Sequence, residues 1–265
     1  MDNFIKKLSN ILSLTVIFCL VAVFYFNYKG FVYEDGKIEL RKQVASASGF
    51  MDFFRGSGSD EAQKDTQEYN GIAVVLPSDV FINVSQKHSV GLPGAPLTMY
   101  EYSSLGCPHC ADFHLDVIPD LMKEYVDKGL LRIVFVNFPL DKNAMKAAML
   151  SECMTYEDYL PFIDAMFSSQ RSWWMDTDDE QLFRHAAEYG LSYDEALSCI
   201  RNDRVAKEIA ADRDEANKRL NVKGTPAFYI TGADGNEIIY GAVSHGKIAD
   251  YLDSRLERLG YDLKK

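Results

Sequence analysis

Cys107 and Cys110, in the run Ser104-Leu-Gly-Cys-Pro-His-Cys110, are the residues of this chain whose types and spacing can do chemistry unaided. Two thiols one helical turn apart close a small ring, and thiolate attack on a disulfide is the elementary step of dithiol exchange. Two blander readings compete. Half of a zinc site is one, but zinc takes four ligands and usually a second cysteine pair at similar spacing. No such pair exists in the sequence, and His88, His114 and His185 are scattered along it. A structural bridge is the other, but so tight a ring constrains little chain entropy. Redox exchange is the reading these residues support.

The flanking patterns say what must hold the pair. Leu97 to Tyr102 alternates as a strand does, and beyond Pro108 the apolar residues Phe113, Val117, Leu121 and Tyr125 recur four apart on one helical face. Pro108 suits the first helical turn, where its missing N–H is no loss. Cys107 is thereby placed at the N-cap, where free backbone N–H groups and the helix dipole favour a thiolate. Cys107 is expected to be the accessible attacking thiol and Cys110 the less exposed resolving one. His109 is expected to be the main side-chain contributor to the thiolate, through its imidazolium or ring N–H.

The helix is expected to run to about Lys128, kinked at Pro119. Leu131 to Val136 reads as a central buried strand. From Asp141 to Leu220 there is no strand signal, only helical patterns over 143–153, 156–168, 178–189, 192–201 and 203–220, with Asp178 and Ser192 as N-caps. Trp173 and Trp174 read as packing residues. A strand from Ala227, a turn at Gly235, a second strand over 237–240 and a last helix over 244–259 complete the pattern.

At Cys107-Pro108-His109-Cys110 the sequence resembles the DsbA branch of the thioredoxin-fold oxidoreductases, whose active site is commonly Cys-Pro-His-Cys. The resemblance runs from about Leu97 to the C-terminus. It includes Gly224-Thr225-Pro226-Ala227-Phe228, which is similar to the family's loop ending in a cis-proline, and 162–167 with Gln170 and Trp173. The fold it implies is α/β, a thioredoxin-like domain with an inserted all-helical domain; the residues before it read separately as a transmembrane anchor and a helical or extended stalk. It further implies that a cis bend at Pro226 brings the Thr225 backbone against the sulfurs, where an extended client can add as a strand. From its residues alone Glu101 is a strand-end glutamate facing water. The resemblance implies instead a buried carboxyl beneath the disulfide, with a raised pKa, helping to move the proton of the inner thiol. Cys153 and Cys199 read either as two inert buried thiols or as a second disulfide, which some relatives carry in the helical domain.

The activity implied is a disulfide oxidase acting on exported client proteins and re-oxidised by a membrane redox partner. The alternative is an isomerase or reductase working as a homo-oligomer joined through the N-terminal extension. A remoter alternative is a non-catalytic zinc or peptide-binding module. No organic cofactor and no metal is required by the oxidase reading.

Composition bounds the rest. The 265 residues are 47% hydrophobic and 25% charged, with a formal net charge of −11, which argues against a nucleic-acid partner. Ile11 to Tyr28 carries no charge and follows Lys6 and Lys7. It just reaches membrane-spanning length and has no nearby small-x-small cleavage site, so an uncleaved signal-anchor is favoured over a cleaved signal. Phe18 before Cys19 argues against lipidation there. The expected order is an anchor over 1–30, a stalk or oligomerisation segment and linker over 31–70, a first thioredoxin-like part over 71–140, helices over 141–220 and a second thioredoxin-like part over 221–265. Within the stalk, Leu40, Val44, Ala47, Met51 and Phe54 suggest a short apolar helical stripe, and 60–70 is expected to be helical or loose. Residues 71–76 and 80–84 are candidates for an edge strand or a lead-in to the domain. A dithiol behind an export signal belongs in an oxidising compartment. The bulk of the chain is therefore expected to face a periplasm-like space, held at the inner membrane by residues 11–28, or to be secreted there if that segment is cleaved.

Overall fold

Among the described residues seven strands, hydrogen-bonded in the order 66–69, 72–75, 235–240, 227–232, 97–103, 131–137 and 89–90, form the sheet that carries the cysteine pair. The computed structural model describes residues 87–263 other than 177, and before them the backbone of four short strands. Two of these, β1 (Phe31–Glu34) and β2 (Lys37–Leu40), make an antiparallel hairpin of their own within a separate unit, residues 1–61. Leu40 ends β2 and so does not begin a helix. The remainder of that stripe, the candidate anchor 11–28 and residues 80–84 lie outside the described residues. Among the described residues no helix is long and apolar enough to cross a membrane.

The second unit holds the rest. β3 (Thr66–Tyr69) pairs antiparallel with β4 (Ile72–Val75), and β4 with β9 (Gly235–Tyr240). Two expectations are corrected here. Residues 66–69 form a strand, neither helical nor loose, and 72–75 is an internal strand instead of an edge. The register pairs Tyr69 with Ile72, leaving the sequence Asn-Gly between them, which is the strongest short hairpin signal. Polar composition hid it, because strand formation is decided largely by the neighbouring strands.

β6 (Leu97–Ser103) is an internal strand, parallel to β7 (Leu131–Asn137) and antiparallel to β8 (Ala227–Gly232). β5 (Ser89–Val90) closes the far edge against β7. The period-2 alternation of β6 splits the core between the two sheet faces. Leu97 and Met99 pack with Phe228, Ile230, Phe113 and Leu252. Tyr102 packs on the other face with Val134, Val136, Tyr229 and Leu220.

The helix predicted after Cys107 is broken where a kink was expected. It divides into α1 (Pro108–Asp116), α2 (Ile118–Leu121) and a π-helical turn over Met122–Val126. Pro119 has no N–H and its ring crowds the carbonyl one turn back, so the chain breaks at Val117. Between β7 and β8 the described residues form helices alone: α3 (Lys142–Ser151), α4 (Tyr156–Ser168), α5 (Gln170–Trp174), α6 (Glu180–Glu188), α7 (Tyr193–Ile200) and α8 (Asp203–Leu220). Ser192 caps α7 in a full capping box. The cap of α6 is Asp179 at φ 64°, not Asp178, although the Asp178 carboxylate accepts the Glu180 N–H. α9 (His245–Arg258) covers the sheet through Ile248, Leu252 and Leu256. Its Arg255, fully buried, donates to both carboxylate oxygens of Asp234 at 2.6 Å and to the Gly235 carbonyl at 2.8 Å, tying the β8–β9 turn to the helix.

Cys153, just after α3, and Cys199 in α7 are joined by a disulfide across a sequence separation of 46, with Cα atoms 6.4 Å apart. Closing a loop of that length restricts the unfolded chain by about 4 kcal/mol in the entropic account. Replacing both cysteines by alanine should therefore lower the unfolding free energy by about 2–4 kcal/mol, read by denaturant titration. The far-UV spectrum of the folded state and the reactivity of Cys107 should be unchanged.

Candidate functional site

Cys107 sits where strand hands over to helix. It is the N-cap of α1, with φ −91° and ψ 121°, and Pro108 follows at the first helical position. The Cys107 N–H donates to the Ser104 carbonyl at 2.9 Å, while its own carbonyl accepts the N–H groups of Cys110 and Ala111 at 3.1 Å. Both cysteines are free thiols. Cys107 is 8% exposed and Cys110 is not exposed at all, so the asymmetry between them is real while the outer sulfur presents only a narrow face to solvent.

The two thiols titrate in opposite directions. That of Cys107 is lowered to about 5, chiefly by a hydrogen bond from the Cys110 side chain. Burial works against this, and the Thr225 side chain and the backbone N–H groups of Cys110 and His109 add to it. Burial pushes Cys110 far upward, and so does the hydrogen bond it gives to Cys107. The His109 ring stands at the surface. It is 73% exposed and lies 3.9 Å from Asp112, and what His109 gives Cys107 is its backbone N–H.

The Thr225–Pro226 peptide is cis. The Cys107 thiol donates to the Thr225 carbonyl at 3.4 Å, and the Thr225 hydroxyl is buried without a hydrogen-bond partner, facing both sulfurs. Glu101 shares the sheet face of Leu97 and Met99, beneath α1. It is 1% exposed, neither carboxylate oxygen has a hydrogen-bond partner, and burial raises its pKa. Ser103, on the same face, lies within reach of both Glu101 and Cys110.

Several roles at the site were not read from the sequence. Gln170, at the start of α5 and buried, donates to the Leu105 carbonyl at 2.6 Å and to the Cys107 carbonyl at 3.1 Å. The helical block thus grips the loop that carries the nucleophile. A glutamine carries no local signal of such a role, since the contact spans 63 and 65 positions. Gly106 leaves space that a Cβ would take from Asp141 and Trp174, at 2.8 and 2.9 Å. The Trp174 indole N–H there donates to Asp141 at 3.0 Å. Trp174 is half-exposed beside the approach to Cys107, whereas Trp173 is fully buried and bonds to the Met166 carbonyl. The histidines set aside as scattered each have a partner: His88 meets Glu152, His114 meets Asp164 and His185 meets Ser169. Among the described residues no group of three or more His, Cys, Asp or Glu side chains is placed to hold a metal ion.

A sheet of this topology with a Cys-Pro-His-Cys N-cap facing a cis-proline loop defines a thioredoxin-fold dithiol. Residues 83–244 match the thioredoxin family model. Wolbachia pipientis α-DsbA1 superposes with a TM-score of 0.59 at 31% identity, over 67% of this chain and 96% of that one. The disulfide bond formation protein D of Bacillus subtilis is 26% identical over 63% of this chain and 76% of its own length. A Rickettsia bellii protein named as a protein-disulfide oxidoreductase is 24% identical over 58% of this chain, and the match spans 61% of that relative's length. The chain belongs to the thioredoxin family, as a DsbA-like thiol:disulfide oxidoreductase.

Replacing Gln170 by alanine leaves the Leu105 carbonyl without its donor, whereas the Cys107 carbonyl keeps two. The variant should lose about 1–2 kcal/mol of stability, measured by denaturant unfolding with the active-site pair reduced. A loss below about 0.3 kcal/mol would contradict the grip described.

Proposed function

We propose that this protein is a disulfide oxidase for client proteins outside the cytoplasm, acting through a mixed disulfide at Cys107. The reading is carried by one observation: the outer thiol is lowered to about 5 while the inner one is raised. A thiolate stabilised in the reduced protein makes its disulfide a good electron acceptor. A client thiolate attacks Cys107, the S–S bond to Cys110 breaks, and the electron pair leaves on Cys110, which takes up a proton. A second client thiolate then attacks the client sulfur of the mixed disulfide and releases Cys107 as a thiolate. Two electrons pass from the client to the pair, and the client's second proton goes to solvent. The backbone of Thr225 binds the client segment as an added strand, and Glu101 exchanges the proton of Cys110. Export, contact with a membrane redox partner that restores the disulfide, and an anchor over 11–28 belong to the same reading. No cofactor takes part in the exchange itself.

The test is oxidation of a reduced, unfolded protein with several cysteines, run beside unscrambling of the same protein carrying wrong bonds. An oxidase reading expects rapid stoichiometric oxidation and little unscrambling. Faster unscrambling than oxidation would favour an isomerase instead. Cys110→Ser should accumulate the mixed disulfide and Cys107→Ser should form none.

The pH dependence has a definite sign. The folded thiol of Cys107 titrates at about 5, far below an unperturbed thiol. Its ionisation therefore stabilises the reduced fold fully above the unfolded value, and that stability drains away as pH falls towards 5. Reduced protein should melt above oxidised protein at neutral pH. The gap should shrink steadily below neutrality, and thiolate absorbance should report a midpoint near 5. A midpoint near the ordinary thiol value of about 8.5 would remove the basis of the reading.

A further inference from the structure

Cys110 and His114 stand one turn apart on α1, and Ser103 and Glu101 stand two apart on β6. The helical and strand periods bring both pairs into the same layer. Ser103 reaches Cys110 and Glu101. Glu101 and His114, with Asn137 and Tyr159, line a cavity of about 20 Å³, room for roughly one water molecule. His114 is buried, and its Nε2 lies 2.7 Å from Oδ1 of Asp164 on α4. The Asp164 side chain is 62% exposed. Cys110, Ser103, Glu101, His114 and Asp164 therefore lie in succession from a fully enclosed sulfur to the surface; the last two are hydrogen-bonded, while the Ser103 hydroxyl and the Glu101 carboxyl are buried with no hydrogen-bond partner of their own.

Among the other neighbours, Asn137 donates to Glu152 at 3.0 Å, but an amide has no acidic proton to pass on. The Phe135 and Phe167 rings pack against His114. Tyr159, the remaining titratable group facing Glu101, is stacked under His88 with ring centroids 3.6 Å apart. Burial keeps it a phenol.

We propose that His114 and Asp164 form the solvent outlet of the proton path that serves Cys110, with Ser103 and Glu101 as its inner stations. This rests on the exchange reading of Cys107 and Cys110. When the Cys107–Cys110 bond opens, Cys110 leaves with the electron pair and receives the proton of Glu101 by way of the Ser103 hydroxyl. Glu101 is then reprotonated from His114, and His114 from solvent at Asp164. When the bond re-forms the proton retraces the route: Cys110 loses it to Glu101 as it attacks the mixed disulfide on Cys107. His114 and Asp164 touch neither sulfur and are positioning and relay residues.

The two halves of the exchange separate the outlet from the nucleophile. Reduced protein mixed with oxidised glutathione first forms an adduct at Cys107, a step in which Cys110 keeps its proton. Cys110 then displaces glutathione and must lose it. Rapid mixing, acid quench and mass analysis follow both steps for wild type, His114→Phe, Asp164→Asn and Asp164→Glu. Adduct formation should proceed at the wild-type rate throughout. Its resolution should slow about tenfold or more in His114→Phe and Asp164→Asn, with a larger solvent deuterium effect, and return to within about twofold in Asp164→Glu. Asp164 is on the surface, so Asp164→Asn carries the test even if His114→Phe does not fold. Adducts that resolve at the wild-type rate in Asp164→Asn overturn the outlet alone. Failure of wild type to form an adduct at Cys107 brings down the exchange reading, and the outlet with it.

Discussion

The hydrogen bond from the Cys110 side chain to the Cys107 sulfur is the interaction on which the site depends. It divides two chemically identical thiols into an anion and a donor. The division needs the N-cap, because backbone N–H groups converge there on a sulfur placed before the first helical residue. It needs burial as well, since a thiol in water would donate to water instead. Cys110 has no exposed surface, so its proton has one anionic neighbour to serve.

Much of the fold can be understood as keeping that geometry. β6 lies inside the sheet, between β8 and β7, and ends at Ser103, four residues before Cys107. β8 begins at Ala227, directly after the cis-proline, and pairs with β6 residue for residue from Leu97–Gly232 to Tyr102–Ala227. The two segments that meet at the sulfurs are thus extensions of hydrogen-bonded neighbours, and the register of one fixes the reach of the other. The helical block adds a third support through Gln170. Its own rigidity is reinforced by the Cys153–Cys199 disulfide and by the Lys146–Asp179 ion pair at 2.6 Å.

The parts of this structure legible in the sequence were those written locally. Pro108 after Cys107, the alternation of 97–102 and the four-residue spacing of Phe113, Val117, Leu121 and Tyr125 each point to one backbone conformation. Ser192 with Glu195 writes a capping box in four letters. What was not legible depends on distant partners. The strand at 66–69 is polar and is held by its neighbour, though Asn-Gly could have announced the hairpin. Gln170 and Trp174 reach the loop around Gly106 only after the helices pack. His114 was passed over because a lone histidine suggests nothing. Its position four residues after Cys110 was nonetheless available, and with Glu101 two residues before Ser103 it marked one buried layer.

The contact between Cys107 and Thr225 carries a consequence for the order of events. As a thiol, Cys107 spends its hydrogen on the Thr225 carbonyl at 3.4 Å. A thiolate has none to give, and its charge is set against that oxygen's lone pairs. Ionisation therefore does two things at once: it charges the sulfur and frees the carbonyl oxygen alongside it. Anion and vacant acceptor arise from the departure of the same proton.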